Sequence, residues 1–560
     1  MGACGSGFLC AIGLEGLYLK GALSKKSPSA RTPVVRSGRK TLYFLGALLA
    51  VSACLLFVHL GSYSLWDDEA ETALGARGIL KTGDTTALLD HNLHARRAGI
   101  TLRNLHDRLT PPLASYLTAL SFSVGQQDAW FARLPFALCG LGTVALMLYF
   151  LWEKTPSFGF VLTFGIALLS QVSFFLYFRQ DRYYGTSLFL AVAIFYLYLT
   201  RWEKPWARFG VGFLVALLFL SHPLICVQVG LILVVDWLVF GRSSVPFEFR
   251  WLWEAGLPLV LLVGPSLFVW NPFLTKSSGY LGEVSLADRW TLFYWNLRDL
   301  FTAEFMPSAL LVLAPAAFLL WRNRWILRAG LALFVLLLVT SLLSYQRVQI
   351  TDVADVRYLI VAIPIGLALS TLTLGVCVGK YSWGWVLTLV VLGTNLGSGK
   401  IFMEGRPASL PLLWWAELAS PMEEPYTPVA EWIRKNIPPR STVWVEPDYM
   451  MYPLMFHAPE PVYAWQLEDP KDPQWADLSP IHFKGREWPE YVIVFGPSIS
   501  NVLPVLQQMN DAHSTYHQIG QINCFWKDLY RPEIFWRSFR TIQSTGQPNE
   551  NVYLFQRKST

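Results

Sequence analysis

The sequence predicts an α-helical polytopic membrane protein with a small extracytoplasmic α/β domain at its C-terminus. Three observations carry this: the composition, the spacing of apolar runs, and a change of pattern after residue 402. Hydrophobic residues make up 53% of the chain and charged residues 15%, where a soluble domain carries about 25% charged residues. Mean hydropathy is +0.37. The net charge of +6 argues little for a nucleic-acid partner, because the basic residues lie mostly in short loops between apolar runs, where they report orientation. The seven cysteines show no paired metal-ligand spacing.

Residues 1–40 are Gly/Ser-rich and then basic, and read as a cytoplasmic leader. Met1-Gly2-Ala3-Cys4-Gly5-Ser6 has the form of a myristoylation signal, a match too short to outweigh a plain basic leader. The run that follows is too long for a signal peptide, and no small-residue cleavage site closes it. A membrane crossing needs about 20 apolar residues. About eleven runs qualify: 41–63, 129–152, 157–178, 184–200, 207–223, 224–241, 255–272, 305–321, 326–345, 357–379 and 383–402. The fifth and sixth are divided only by Ser221-His222-Pro223.

With the leader inside, the inside loops should be basic. They carry Lys154, then Arg201, Lys204 and Arg208, then Arg242 and Arg250, then Arg322, Arg324 and Arg328, and Lys380. Tryptophans 152, 202, 206, 321, 325 and 383 flank them as an interfacial belt. Residues 64–128, 179–183, 273–304 and 346–356 then fall outside, and so does the tail, 403–560. The expected localisation is the plasma membrane, in bacteria the inner membrane, around a 41–402 transmembrane domain. In the tail, Thr427-Pro428 reads as a cap and first helical residue, with Val429, Trp432, Ile433 and Ile437 on one face. Strand-like runs at 442–445, 491–495 and 552–555 and a helix near 501–509 complete an α/β domain, read as a scaffold or acceptor-recognition module.

The chain's chemistry is expected where the first run ends, at Trp66-Asp67-Asp68-Glu69-Ala70-Glu71. Asp68 with Glu71 three residues on also reads as a helix cap with its reciprocal acid, opening a helix over 70–80. A second helical piece is expected over 111–124, lying along the membrane surface. Every other outside segment adds charge at the same edge: Arg179-Gln180-Asp181-Arg182, Asp288-Arg289, and Arg347, Asp352, Asp355 and Arg357. Acids and guanidiniums above a bundle of spans suit a sugar carried on a long-chain lipid phosphate. Its tail lies in the bilayer and its anomeric carbon at the interface. A carboxylate would take the acceptor hydroxyl's proton, and arginines would hold the departing phosphate. No phosphate-cradling glycine loop is present, and this chemistry needs none.

The same residues resemble a known family. Trp66-Asp67-Asp68-Glu69, followed by Gly75-Ala76-Arg77-Gly78-Ile79-Leu80-Lys81-Thr82-Gly83-Asp84, resembles the opening of the integral-membrane GT-C glycosyltransferases. Among these it is similar to the protein O-mannosyltransferases and the lipid A aminoarabinose transferase, of the family 39 type. Pro111-Pro112-Leu113, Ala132-Arg133-Leu134-Pro135, Arg179-Gln180-Asp181 and Arg357-Tyr358-Leu359 follow in the family's order, over residues 41–380. The resemblance implies a GT-C-like fold and inverting transfer of a sugar from a polyprenyl-phosphate donor to a protein, lipid or glycan acceptor.

It places the catalytic acid at Asp68, with Glu69 beside it; Asp67 remains open as the alternative base. Arg357, Arg108, Arg133 and Arg179 are the expected phosphate-binding residues. Asp181 supports the site, with a divalent metal ion there left open. One departure matters: the family's lysine before Pro-Pro is Thr110 here, and Arg108 is the expected substitute. The rival readings are a transporter, for which Asp236 is the main midspan ionisable group, and a non-catalytic scaffold for the tail, which leaves the acidic stretch unexplained.

Overall fold

The computed structural model describes residues 39–559 except 155–156, 242–247, 271–284, 303–305, 345, 347, 350–351, 382, 399–400, 402–404, 406, 422–423, 469–471, 510–513 and 525–549. Nearly all of the expected leader and Arg347 lie outside the described residues.

Helix α1 (Arg39–Phe57) leads into the first polar segment. There α2 (Asp67–Thr82) precedes the hairpin β1 (Leu88–Leu89) and β2 (Asn92–Leu93), the single turn α3 (Arg96–Gly99), a second hairpin of β3 (Leu102–Arg103) and β4 (His106–Asp107), and α4 (Leu113–Val124). The bundle continues with α5 (Ala129–Lys154), α6 (Phe158–Ser170), α7 (Val172–Phe178), α8 (Tyr183–Arg201), α9 (Pro205–Ser221) and α10 (Pro223–Asp236), which runs on as a π turn to Gly241. Then come α11 (Arg250–Val269), α12 (Leu286–Thr302), α13 (Leu310–Trp321), α14 (Arg324–Leu343), α15 (Ala362–Lys380), α16 (Gly384–Gly393) and α17 (Leu410–Ala419).

Each of the eleven apolar runs is thus helical. Among the described residues seven helices are long and apolar enough to cross a membrane, and α6 with α7 forms an eighth candidate bent by 62°. Helices α9, α13 and α16 are shorter apolar helices. The break between α9 and α10 falls at His222, which caps α10 by accepting from the Ile225 amide at 3.4 Å. Asp236 accepts from Tyr198 Oη and Arg328 Nε, both at 2.8 Å. The acid on which the transporter reading leaned is therefore neutralised within the bundle.

The C-terminal domain comprises α18 (Tyr426–Asn436), α19 (Met451–His457), α20 (Ile499–Met509) and a mixed sheet in the order β6-β5-β7-β9-β8. Its strands are β5 (Thr442–Glu446), β6 (Val462–Tyr463), β7 (Tyr491–Phe495), β8 (Ser514–Cys524) and β9 (Glu550–Ser559). Strands β6, β5 and β7 are parallel, as a sheet entered through crossovers must be, while β9 and β8 add antiparallel. Val429, Ile433 and Ile437 are buried, as their spacing predicted. The expected cap at Thr427 is corrected: the Glu424 carboxylate accepts from the Tyr426 and Thr427 amides at 2.6 and 3.0 Å.

This domain is seated on the back of α2. Ala70, Ala73, Leu74, Ala76 and Ile79 share one core with Tyr426, Val429, Ile433, Met451 and Leu454. The small residues of α2 let its neighbours approach closely. A Cβ on Gly78 would meet the Thr86 carbonyl at 2.4 Å, so a glycine here is a packing requirement of the segment leading into β1. Polar ties reinforce the seat. Arg77 Nη1 donates to the Phe456 carbonyl at 2.9 Å, and Leu65 N donates to His457 Nε2 at 3.0 Å. Burial lowers the His457 pKa to about 3, which keeps that ring neutral and able to accept.

Candidate active site

Helix α2 begins at Asp67 with Trp66 in the cap position. Asp68 is therefore the second residue of the first turn, and its expected role as a cap is corrected. Its carboxylate is turned to three guanidiniums instead. Oδ1 faces Arg96 Nη2 at 3.3 Å, while Oδ2 faces Arg182 Nη2 at 3.1 Å and Arg357 Nη1 at 3.4 Å. Arg182 Nη1 also donates to the Asp68 carbonyl at 3.0 Å. The three arginines come from α3, the turn between α7 and α8, and the 3-10 turn Val356–Leu359 ahead of α15, all at the edge assigned to one side from sequence. The helix N-terminus adds its own partial positive charge beside the acid.

Glu71, one turn on, faces Arg96 Nε at 2.8 Å and Arg182 Nη1 at 3.7 Å. Burial pushes its carboxyl from the ordinary 4.5 up to about 7; Arg96 and Arg182 oppose the rise and Asp68 adds to it. An acid raised in this way holds a proton in the fold over a range where the unfolded chain has lost it. Stability therefore falls as pH rises from about 4.5 through about 7. Glu71→Gln should remove this component. Between about pH 5 and pH 8 the unfolding temperature of the wild type should drop relative to that of the variant, and parallel curves would contradict the assignment.

The other expected residues divide into a supporting layer and the site itself. Glu69, fully buried, accepts from Arg133 Nε at 2.8 Å and Nη2 at 2.6 Å, and from the Asp181 amide at 2.8 Å. Arg133 also donates to the carbonyls of Leu60, Tyr63 and Ser64. Arg179 donates to the carbonyls of Leu55, Leu56, Val58 and His59, satisfying the C-terminal end of α1. Arg108 forms a bidentate pair with Asp84, both bonds 2.6 Å. The guanidiniums of Arg108, Arg133 and Arg179, expected at the phosphate, are each bound by oxygens of the scaffold. Asp67, at the first position of α2, is part-exposed.

Asp181 is fully buried and accepts from Thr118 Oγ1 at 2.6 Å, while its Oδ2 has no hydrogen-bond partner among the described residues. Burial raises its carboxyl well above the usual range, and the Thr118 hydroxyl opposes the rise. No three acidic, histidine or cysteine side chains among the described residues gather as a metal site.

Sequence reasoning missed Arg96 and Arg182 as site residues, and missed what aims Arg357. Asp299 on α12 accepts from the Ala354 amide at 2.7 Å and pairs with Arg298 at 2.6 Å, and Arg298 donates to the Asp352 carbonyl at 2.7 Å. Asp355 then holds Arg357 Nε at 2.8 Å. Arg182 follows Asp181 directly in the quoted motif. No signal at Asp299 distinguished it from a solvated acid.

Crystal structures of ArnT from Cupriavidus metallidurans, one bound to undecaprenyl phosphate and one in the apo state, are similar to this chain. Each superposes with a TM-score of 0.55 at 13% sequence identity, over 92% of this chain and 98% of ArnT. The chain shares the fold of these two structures, and the likeness, over 92% of its length, extends beyond residues 41–380 into the C-terminal domain. No family model and no curated protein matches the sequence.

Proposed function

We propose that this chain, which shares its fold with a membrane protein crystallised with undecaprenyl phosphate, is a glycosyltransferase. It moves a hexosyl or pentosyl unit from a polyprenyl-phosphate donor to an extracytoplasmic hydroxyl with inversion. The observation that carries this reading is the Asp68 carboxylate bridged by Arg96, Arg182 and Arg357 at the mouth of the bundle.

In the resting site Asp68 is neutralised by these cations and is a weak base. A donor phosphate competes for the same guanidiniums, for which its oxygens are at least as good acceptors as a carboxylate. Donor binding therefore frees Asp68 as it fills the site. The acceptor oxygen then attacks the anomeric carbon from the face opposite the phosphate. The bond from that carbon to the phosphate oxygen breaks, and its electron pair leaves with the polyprenyl phosphate. The hydroxyl proton passes to Asp68. Arg182 and Arg357 stabilise the charge that develops on the leaving oxygen. The expected setting is an integral membrane protein with the N-terminus cytoplasmic and 403–560 on the other side.

Arg357 tests the reading. Its guanidinium is oriented by Asp355 and stands beside the Tyr358 ring, 5.5 Å from the ring centroid. Lysine keeps the charge and loses the planar fork. Arg357→Lys should cut transfer by about tenfold or more while the protein purifies normally. Unchanged turnover would remove Arg357 from the phosphate site.

A further inference from the structure

We propose that Arg96 is a phosphate-binding residue of this site, supplying from the α3 turn the cation that Thr110 does not. The proposal rests on the glycosyltransferase reading above. Arg96 and Arg357 flank Asp68 symmetrically, one on each carboxylate oxygen, and both side chains are 23% exposed. Arg182, between them, is only 7% exposed. Arg96 and Arg357 are thus the more accessible of the three arginines around the acid. Among the described residues Arg96 binds only through Nε, to Glu71, and Nη2, to Asp68.

Thr110 lines the same small cavity as Arg96, Arg182 and Glu71. A lysine at position 110 would enter the space that Arg96 serves. Arg108, closer to Thr110 in sequence, is held by Asp84 and cannot reach it.

The position of Arg96 is fixed from a distance. The Ala95 amide donates to Gln466 Oε1 at 3.0 Å. At Gly99, which has a φ of +77°, an added Cβ would meet Leu467 at 2.8 Å and Trp475 at 2.9 Å. The turn carrying Arg96 is thus clasped by the C-terminal domain at both ends. The backbone that carries its guanidinium is thereby held against that domain. Such a built position is what a phosphate ligand requires, because a long side chain on a free loop would lose its binding energy to ordering.

The test measures binding of undecaprenyl phosphate to the purified full chain, with undecaprenol as the control for the lipid tail. Arg96→Ala is made in a Glu71→Gln background, so that no buried carboxylate is left without a cation; Asp68 keeps Arg182 and Arg357. Relative to Glu71→Gln alone, it should weaken undecaprenyl phosphate binding at least about tenfold, the loss of one charge-assisted contact. Undecaprenol binding should not change. Adding Thr110→Lys should restore a large part of the loss. Binding within about twofold of the Glu71→Gln protein would overturn the proposal. So would an equal loss of undecaprenol affinity, or no recovery with Thr110→Lys, since either assigns the effect to disturbed structure. If the wild type itself binds undecaprenyl phosphate no better than undecaprenol, the glycosyltransferase reading fails along with it.

Discussion

Asp68→Asn is expected to insert and purify like the wild type and to transfer sugar about 10²–10⁴-fold more slowly, the usual worth of a general base. The helix does not depend on this side chain, because the cap position belongs to Trp66. Three arginines would still be opposed by Glu71 and Asp355, so the cluster is not left without anions. The variant should also bind undecaprenyl phosphate at least as tightly as the wild type. A neutral amide competes less than a carboxylate for Arg182 and Arg357. That combination, binding kept and transfer lost, is not what a structural acid would give. Asp67→Asn should be milder, since one residue along a helix turns the side chain by about 100°. Full activity in Asp68→Asn with loss in Asp67→Asn would move the base to Asp67.

Arg133→Ala should have the largest effect on stability. The side chain is 3% exposed and its partner Glu69 is fully buried. Removing one member of such a pair leaves an uncompensated charge, at a cost of about 3–5 kcal/mol. Three carbonyls at the end of the first span, those of Leu60, Tyr63 and Ser64, also lose their donor. The variant should accumulate poorly and unfold well below the wild type, and Glu69→Gln added to it should recover part of the loss. A protein that purifies with unchanged unfolding temperature and only weakened donor binding would return Arg133 to the phosphate site.

The contrast between these two residues marks what the sequence could convey. Asp68 was legible because an acidic run where an apolar span ends has few bland explanations, and because three other charged segments face the same side. Arg133 and Arg179 were not. An arginine at the outer end of a span looks alike whether it meets a headgroup, a ligand or the carbonyls of a neighbouring helix. Here both take the last of these roles, one at the exit from α1 and the other over its final turn. Arg96 was hidden for another reason. Its register is set by Gln466 and the packing of Leu467 and Trp475, contacts too remote in the chain for periodicity to report.

The C-terminal domain was legible as an α/β unit, since Val429, Ile433 and Ile437 show helical spacing and β5 and β7 are short apolar runs. Its work was not. It packs against the small-residue face of α2, so that the acidic first turn and the alanine stripe of one helix serve the site and the domain respectively. Strand β8 and the crossover strand β6 carry weak patterns of their own and owe their conformation to their neighbours in the sheet.

The central claim is that the Asp68 cluster turns over a polyprenyl-phosphate sugar. The most direct measurement follows release of undecaprenyl phosphate from a panel of undecaprenyl-phosphate hexoses and pentoses by the purified chain in lipid nanodiscs with native acceptor membranes. The account predicts that at least one donor is consumed by the wild type, and that Asp68→Asn consumes it at least about a hundredfold more slowly. Equal consumption by wild type and Asp68→Asn, or no consumption of any donor by a wild type that binds undecaprenyl phosphate, would contradict it.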